Sequence, residues 1–138
     1  DVDQDAAIRL IKDCKEHGVG RFVMISALGA DPNSESARIQ HYLRAKGVAD
    51  GYLRSSGLDY TILAPGTLLD EKGTGRIQAA EELGFHGFLP REDLAVCIIE
   101  TLRNFYTLGK TIEIVSGADK IKDAIVEVAG GGDLPPIL

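Results

Sequence analysis

The chain has 138 residues and a mass of 14.8 kDa, the size of one domain that can bury a sizeable hydrophobic core. Its 44% hydrophobic and 26% charged residues exclude the disordered and fibrous classes of protein. It carries 21 acidic against 15 basic residues, so we expect no nucleic-acid partner. No apolar stretch approaches the roughly 20 residues that span a bilayer, and the N-terminus lacks the features of a signal peptide. We therefore expect a cytoplasmic protein without a membrane partner.

Hydrophobic periodicity predicts four helices that alternate with three short, apolar strands. In chain order these are a helix over 3–17, a strand over 21–26, a helix over 34–55, a strand over 59–64, a helix over 90–103, a strand over 110–116 and a helix over 121–128. Asp3 is a candidate N-cap of the first helix, Gly18 ends that helix, and Pro90 suits the first turn of the third.

The order of the elements predicts an α/β fold with a doubly wound parallel sheet, because consecutive parallel strands need helical crossovers. Residues 68–88 are expected to form a loop with at most short extended pieces at 76–79 and 85–88, and residues 130–138 a flexible tail. Three strands make a small sheet with an apolar edge, which native proteins avoid exposing. We therefore expect either missing N-terminal βα units or a homo-oligomer partner to cover that edge.

The helix over 34–55 holds the most informative residues. Its apolar stripe includes Tyr42, and Lys46 lies inside the same stripe. One explanation of Lys46 is an intrahelical ion pair with Asp50, four residues on. The other is the pattern Tyr-x-x-x-Lys, which places a phenol and an ammonium group one helical turn apart on one face. Such an ammonium group favours the phenolate, so a tyrosine beside it acts more readily as a general acid or base at neutral pH.

The surroundings of this pattern resemble the second half of the short-chain dehydrogenase/reductase fold, closest to its atypical, single-domain NAD(P)-binding branch. The resemblance covers most of residues 2–116. It is carried by AAIRLIKDCKEHGVGRFVMISALGAD, HYLRAKGVADGYLRSSGLDYTILAPG and LPREDLAVCIIETL. It implies that residues 1–129 are the C-terminal part of a Rossmann-like domain whose N-terminal βα units are missing.

The resemblance also implies roles for individual residues. Tyr42 would be the proton donor, and Lys46 would hold the nicotinamide ribose hydroxyls and lower the pKa of Tyr42. Pro65, Gly66 and Thr67 would lie beside the nicotinamide, where their backbone groups can meet its carboxamide. The stretch from 68 to 88 would form the wall on the side of a small-molecule substrate. The cofactor would be NAD(P), and NADP is the expected form.

Three departures from the family pattern qualify these roles. Ser26, which would bind the substrate oxygen beside the cofactor, is followed by Ala27 instead of a second hydroxyl, and its alternative role is a helix–loop hydrogen bond. Ala64 stands where the family usually has an arginine before Pro-Gly. The sequence also has no GxxGxxG turn after a strand, where backbone amides would bind the pyrophosphate. Three interpretations stay open: a reductase acting on a small carbonyl or conjugated compound, a non-catalytic NAD(P)-sensing or partner-binding module, and a structural fragment that survives only through assembly with its missing half.

The other titratable side chains have simple structural explanations. Cys14 and Cys97 lie in apolar helical patterns and are expected to be reduced thiols, and no spacing suggests a metal site. His17 suits a helix C-terminus, where the dipole favours a cation. His41 should face solvent, and His86 is either exposed or part of the substrate wall.

Overall fold

The computed structural model describes residues 2–29 and 40–130, which form four helices and seven strands. The helices are α1 (Val2–Glu16), α2 (Gln40–Arg54), α3 (Arg91–Leu102) and α4 (Ile121–Val128), with a 3-10 turn at Phe105–Thr107. The strands are β1 (Phe22–Ile25), β2 (Tyr60–Pro65), β3 (Thr67–Leu69), β4 (Arg76–Ala80), β5 (Phe88–Pro90), β6 (Lys110–Ser116) and β7 (Asp119–Lys120). No helix of the described ranges is long and apolar enough to cross a membrane.

The main sheet has five strands in the order β1-β2-β6-β4-β7. Its β1, β2 and β6 run parallel, so the predicted α/β fold with a parallel, doubly wound sheet is confirmed. The strands β4 and β7 extend it in antiparallel fashion beyond β6. A second, two-stranded sheet joins β3 and β5 in parallel.

The segment over 68–88 contains more strand structure than predicted, because it contributes to three strands. The extended piece expected at 76–79 is observed as β4, whose Ile77 is fully buried against the core. The piece expected at 85–88 is misplaced, since β5 begins only at Phe88. Strands of three residues, such as β3 and β5, are too short to show a hydrophobic period, and pairing with each other is what makes them strands.

The ends of the helices differ from prediction at two residues, Asp3 and Pro90. Asp3 lies inside the first turn of α1, which begins at Val2, so its carboxylate faces the positive end of the helix dipole instead of capping it. Pro90 has extended backbone angles and is the N-cap residue of α3. Gly18 does end α1, with a φ of 69°. The predicted start of α2 at 34–39 and the predicted tail at 131–138 lie outside the described residues.

Two hydrophobic clusters pack on opposite faces of the sheet. Leu63 belongs to the cluster under α3 and α4, and its neighbour Ile62 belongs to the cluster under α1 and α2. The central strand β2 is therefore buried on both faces, as its apolar sequence predicts. All four residues of β1 are only partly buried, and in the described part of the chain β1 pairs with β2 alone. One edge of the apolar parallel sheet is thus open.

Candidate active site

The candidate site lies at the carboxyl ends of the parallel strands. Backbone hydrogen bonds continue the ladder past the end of β1: Ser26 N–H donates to the Leu63 carbonyl at 2.8 Å, and Leu28 N–H donates to the Pro65 carbonyl at 2.9 Å. The loop after β1 is thereby held beside the end of β2. This is the edge of a parallel α/β sheet at which ligands bind.

The predicted site residues line three cavities. The central cavity, of about 360 Å³, is lined by six of the predicted site residues: Ser26, Ala27, Tyr42, Pro65, Gly66 and Thr67. The edge cavity, of about 270 Å³, lies between α1, β1 and α2 and is lined by Tyr42 and Lys46 among others. The acidic cavity, of about 300 Å³, is lined by Ala27, Ala64 and Asp50 together with Glu81, Glu82 and Glu113. Lys46 and Ala64, both predicted site residues, thus line the two neighbouring cavities and not the central one.

Tyr42 and Lys46 leave the same face of α2, as their spacing predicts. The Lys46 Nζ atom lies 5.7 Å from the centroid of the Tyr42 ring and donates to the Ile25 carbonyl at 3.4 Å. Tyr42 separates the central cavity from the edge cavity and is 47% exposed. Its predicted place in a buried apolar stripe is wrong, because this part of α2 faces the open edge of the sheet.

Ser26 and Asp50 form the strongest polar contact of the site. The Ser26 hydroxyl lies 2.5 Å from Oδ2 of Asp50, and each residue is only 3% exposed. Burial raises the pKa of Asp50, while the Ser26 hydrogen bond and the charges of Arg54 and Lys46 act in the opposite direction. The alternative role of Ser26 as a helix–loop hydrogen bond is therefore observed. The Lys46–Asp50 ion pair is not, among the described residues, because Lys46 turns to Ile25.

The backbone N–H groups after β2 are already used within the protein. Gly66 N–H donates to the Ile114 carbonyl at 2.9 Å, and Thr67 N–H donates to the Gly87 carbonyl at 3.0 Å. A carboxamide beside this turn would therefore meet backbone acceptors rather than these two donors. The Thr67 hydroxyl lies 2.9 Å from Nε2 of His86, so this side chain is also engaged.

Sequence reasoning assigned no role to Arg91, which lines the central cavity, and left His86 undecided. His86 is exposed and also lines this cavity, so both of its predicted positions are observed. The Nε of Arg91 donates to Asp70 at 2.8 Å. The only sequence signal for Arg91 was its place directly after the strand-ending Pro90, where α3 begins at the site.

The remaining side chains lie away from these cavities. His17 uses Nδ1 to contact the Asp13 carbonyl at 2.8 Å, at the C-terminal end of α1 as predicted. His41 is exposed. Cys14 and Cys97 are both free thiols. Over the described ranges, no group of three His, Cys, Asp or Glu side chains could hold a metal ion.

Comparison with known proteins agrees with this geometry. Residues 1–105 match the family model described as NAD(P)H-binding. The chain belongs to the NAD(P)H-binding family. The match covers all elements from α1 to α3, and so includes every residue that lines the central cavity.

Relatives of this NAD(P)H-binding chain are longer proteins. It is 37% identical over 125 residues to the uncharacterized sugar epimerase YhfK of Bacillus subtilis (strain 168), with 90% of this chain and 58% of that protein covered. The oxidoreductase ylbE of Lactococcus lactis has a similar structure, with a TM-score of 0.80 and 28% identity over 94% of this chain and 61% of that chain. ChuY, an anaerobillin reductase of Escherichia coli O157:H7, has a TM-score of 0.74 and 30% identity over 83% of this chain and 59% of that chain. The chain thus spans about 58% of the length of the curated relative.

Proposed function

We propose that this chain is part of an NAD(P)H-dependent reductase in which Tyr42 gives a proton to the substrate oxygen and Lys46 assists it. NADP is the expected form of the cofactor. The oxidoreductase and reductase names among its structural relatives support this class of reaction. The substrate we expect is a small carbonyl or conjugated organic compound, which suits a cavity of about 360 Å³.

The observation that carries the proposal is the placement of Lys46 beside the Tyr42 ring, with its Nζ 5.7 Å from the ring centroid. A positive charge beside the ring can stabilise the negative charge that develops on the tyrosine as its proton moves to the substrate. The Ile25 carbonyl holds the ammonium group there through a 3.4 Å hydrogen bond. Tyr42 lines the central cavity, so a substrate bound there would contact this side chain.

The residues present fit the nicotinamide end of the cofactor. The Lys46 ammonium group has three N–H donors and gives one to Ile25, which leaves donors for ribose hydroxyls. Pro65 and Gly66 would lie beside the ring. When bound, the reduced cofactor supplies the hydride. Tyr42 supplies the proton, and Leu28 and Leu68 in the wall of the central cavity help to keep water from the substrate.

The substitution Tyr42→Phe tests the proposal in the full protein encoded by the parent gene. We expect the rate of NAD(P)H oxidation to fall about 10²- to 10⁴-fold, with cofactor affinity nearly unchanged, because only a proton donor is lost. Tyr106→Phe is the matched control, since Tyr106 is 45% exposed, close to the 47% of Tyr42, and lies outside the site. Turnover that persists in Tyr42→Phe would exclude Tyr42 as the donor.

A non-catalytic NAD(P)-sensing or partner-binding module is the second candidate. The contact between Ser26 and Asp50 favours it, because a serine that gives its proton to a carboxylate has none left for a substrate oxygen. This module would bind the cofactor without consuming it, and binding would change its association with another protein. Titration calorimetry with NADPH, followed by a turnover assay, separates the two functions.

We also propose that βα units preceding this chain cover the open edge of β1. The support is the partly buried apolar edge strand, the cavity between α1, β1 and α2, and the greater length of the relatives. Such units would add a strand parallel to β1 and bring the glycine-rich turn that the chain lacks.

Hydrogen exchange at the β1 amides should be slow in the full parent protein. Fast exchange there would contradict the added strand. If the parent protein carries no such units and forms dimers through β1, the homo-oligomer alternative is correct.

A further inference from the structure

We propose that Asp50 is a positioning residue that sets whether the Ser26 hydroxyl offers a hydrogen or a lone pair to a ligand in the central cavity. The proposal rests on the proposed function, since it assigns the central cavity to the substrate. It adds Asp50, which acts on the substrate only through Ser26. It also states whether the substrate group that faces Ser26 must be a hydrogen-bond acceptor or a donor.

The geometry of the pair carries the argument. The Ser26 oxygen and Oδ2 of Asp50 are 2.5 Å apart, within direct hydrogen-bond distance. Both residues are buried, so water does not compete for the bond. One hydrogen lies between the two oxygens, and either Ser26 or Asp50 supplies it.

The two arrangements present opposite faces to a ligand. When Asp50 is ionised it can only accept, so Ser26 must donate to it and offers the cavity only lone pairs. When Asp50 is protonated it can donate to Ser26, and the serine hydrogen is then free to point into the cavity. A substrate carbonyl oxygen is an acceptor, so it binds well only in the second arrangement. A ligand with an N–H or O–H group facing Ser26 binds well only in the first.

The surroundings of Asp50 favour the protonated arrangement. Its Oδ1 atom is buried and has no hydrogen-bond partner, so ionisation would leave a charged oxygen poorly satisfied. The acidic cavity beside it is lined by Glu81, Glu82 and Glu113 and also by Arg54, and burial is what raises the pKa of Asp50.

Two basic residues oppose this effect. Lys46 and Arg54, both on α2, favour the ionised form of Asp50, as does the Ser26 hydrogen bond. Burial has the largest effect, so the pKa of Asp50 is raised above its ordinary value.

The test is the pH dependence of kcat and KM in the full parent protein, with a carbonyl substrate and NAD(P)H. In the unmodified protein we expect kcat/KM to fall about tenfold as Asp50 ionises with rising pH. Asp50→Asn should keep the low-pH activity and lose this fall, because the asparagine NH₂ group donates to Ser26 at every pH as the protonated acid does. Ser26→Ala should also lose the fall, but with activity reduced about tenfold at every pH.

Asp123→Asn is the matched control, because Asp123 is an exposed aspartate on α4 away from the three cavities. It should keep both the rate and the pH profile of the unmodified protein. If the protein turns over substrate and Asp50→Asn keeps the fall in kcat/KM, the role of Asp50 is wrong while the proposed function stands. The role of Asp50 is also wrong if Tyr42→Phe loses all activity while the pH profile of Asp50→Asn equals that of the unmodified protein.

A measurement without turnover covers the case in which the parent protein proves inactive and the proposed function fails. Carbon-13 NMR of the Asp50 carboxyl group follows its titration directly. Ser26→Ala should move the titration midpoint to higher pH, because the carboxylate loses a hydrogen-bond donor. A midpoint that does not move would show that the two groups are not coupled and would overturn the proposal.

Discussion

The backbone of Gly66 packs directly against the carbonyl group of Gly87. A Cβ atom at position 66 would overlap that carbonyl oxygen and also touch the Val115 side chain. Thr67 N–H donates to the same Gly87 carbonyl at 3.0 Å, so the close approach is part of the pairing between β3 and the residues that lead into β5. This contact holds the segment with His86 against the turn at the end of β2, and thereby shapes one wall of the central cavity.

Gly66→Ala should therefore destabilise the protein. The added methyl group has no room without a backbone shift, and overpacking of this kind costs about 1–3 kcal/mol in free energy of unfolding. Gly51→Ala, in the middle of α2, is the control, because a Cβ there meets no atom within 4 Å. It should stabilise the protein by up to about 1 kcal/mol through helix propensity. Urea denaturation measures both, and equal effects of the two substitutions would refute the close packing.

Asp93 should be important for stability because it holds the turn before β4. It is buried, and its two carboxylate oxygens accept from Thr74 N–H at 3.0 Å and Gly75 N–H at 2.9 Å. Asp93→Asn turns one acceptor into a donor that faces an N–H group, at an expected cost of about 1–3 kcal/mol. Its neighbour Glu92 accepts from Gly73 N–H at 3.1 Å in the same turn, but it is exposed and glutamine keeps an acceptor oxygen, so Glu92→Gln should change the free energy of unfolding by less than about 0.5 kcal/mol. Thermal melts of the two variants compare these residues, and similar melting temperatures would argue against the role of Asp93.

The two cysteines should differ in reactivity. Burial, and after it the charge of Asp93, raises the pKa of the Cys97 thiol to about 12. Because the thiolate is the nucleophile, Cys97 should resist alkylation at pH 8. Cys14 is only partly buried and should react first. Mass spectrometry after iodoacetamide treatment should find label on Cys14 in the native protein and on both cysteines in urea. Rapid native labelling of Cys97 would contradict its burial.

Asp50 should make the protein less stable as pH rises. Its pKa is raised in the folded state, so between about 3.9, the ordinary value for aspartate, and its raised value the folded protein binds more protons than the unfolded chain. The free energy of unfolding then falls with increasing pH across that window. Asp50→Asn removes the effect. Urea denaturation at several pH values should show that the free energy of unfolding of the variant, relative to that of the unmodified protein, increases as pH rises. A gap that is constant with pH would mean that folding leaves the Asp50 pKa unchanged.

How far the sequence predicts this structure depends on the range of each interaction. The apolar run of β2 and the stop at Gly18 depend on neighbouring residues, and both were predicted correctly. The three-residue strand β3 exists only because β5, about twenty residues away, lies beside it. Asp50 shows the same limit within the site. Local spacing paired it with Lys46, but folding brings the end of β1 to α2 and pairs it with Ser26.

The amino-acid sequence by itself determined the α/β class, the parallel order of the buried strands and the common face of Tyr42 and Lys46, because helical and strand periods are properties of the local backbone. Only the tertiary structure decided that β4 runs antiparallel beside β6, that Tyr42 stands between two cavities, and that Ser26 binds Asp50. These features join residues distant in sequence. They follow from burial and hydrogen bonding in the folded chain, which no local pattern encodes.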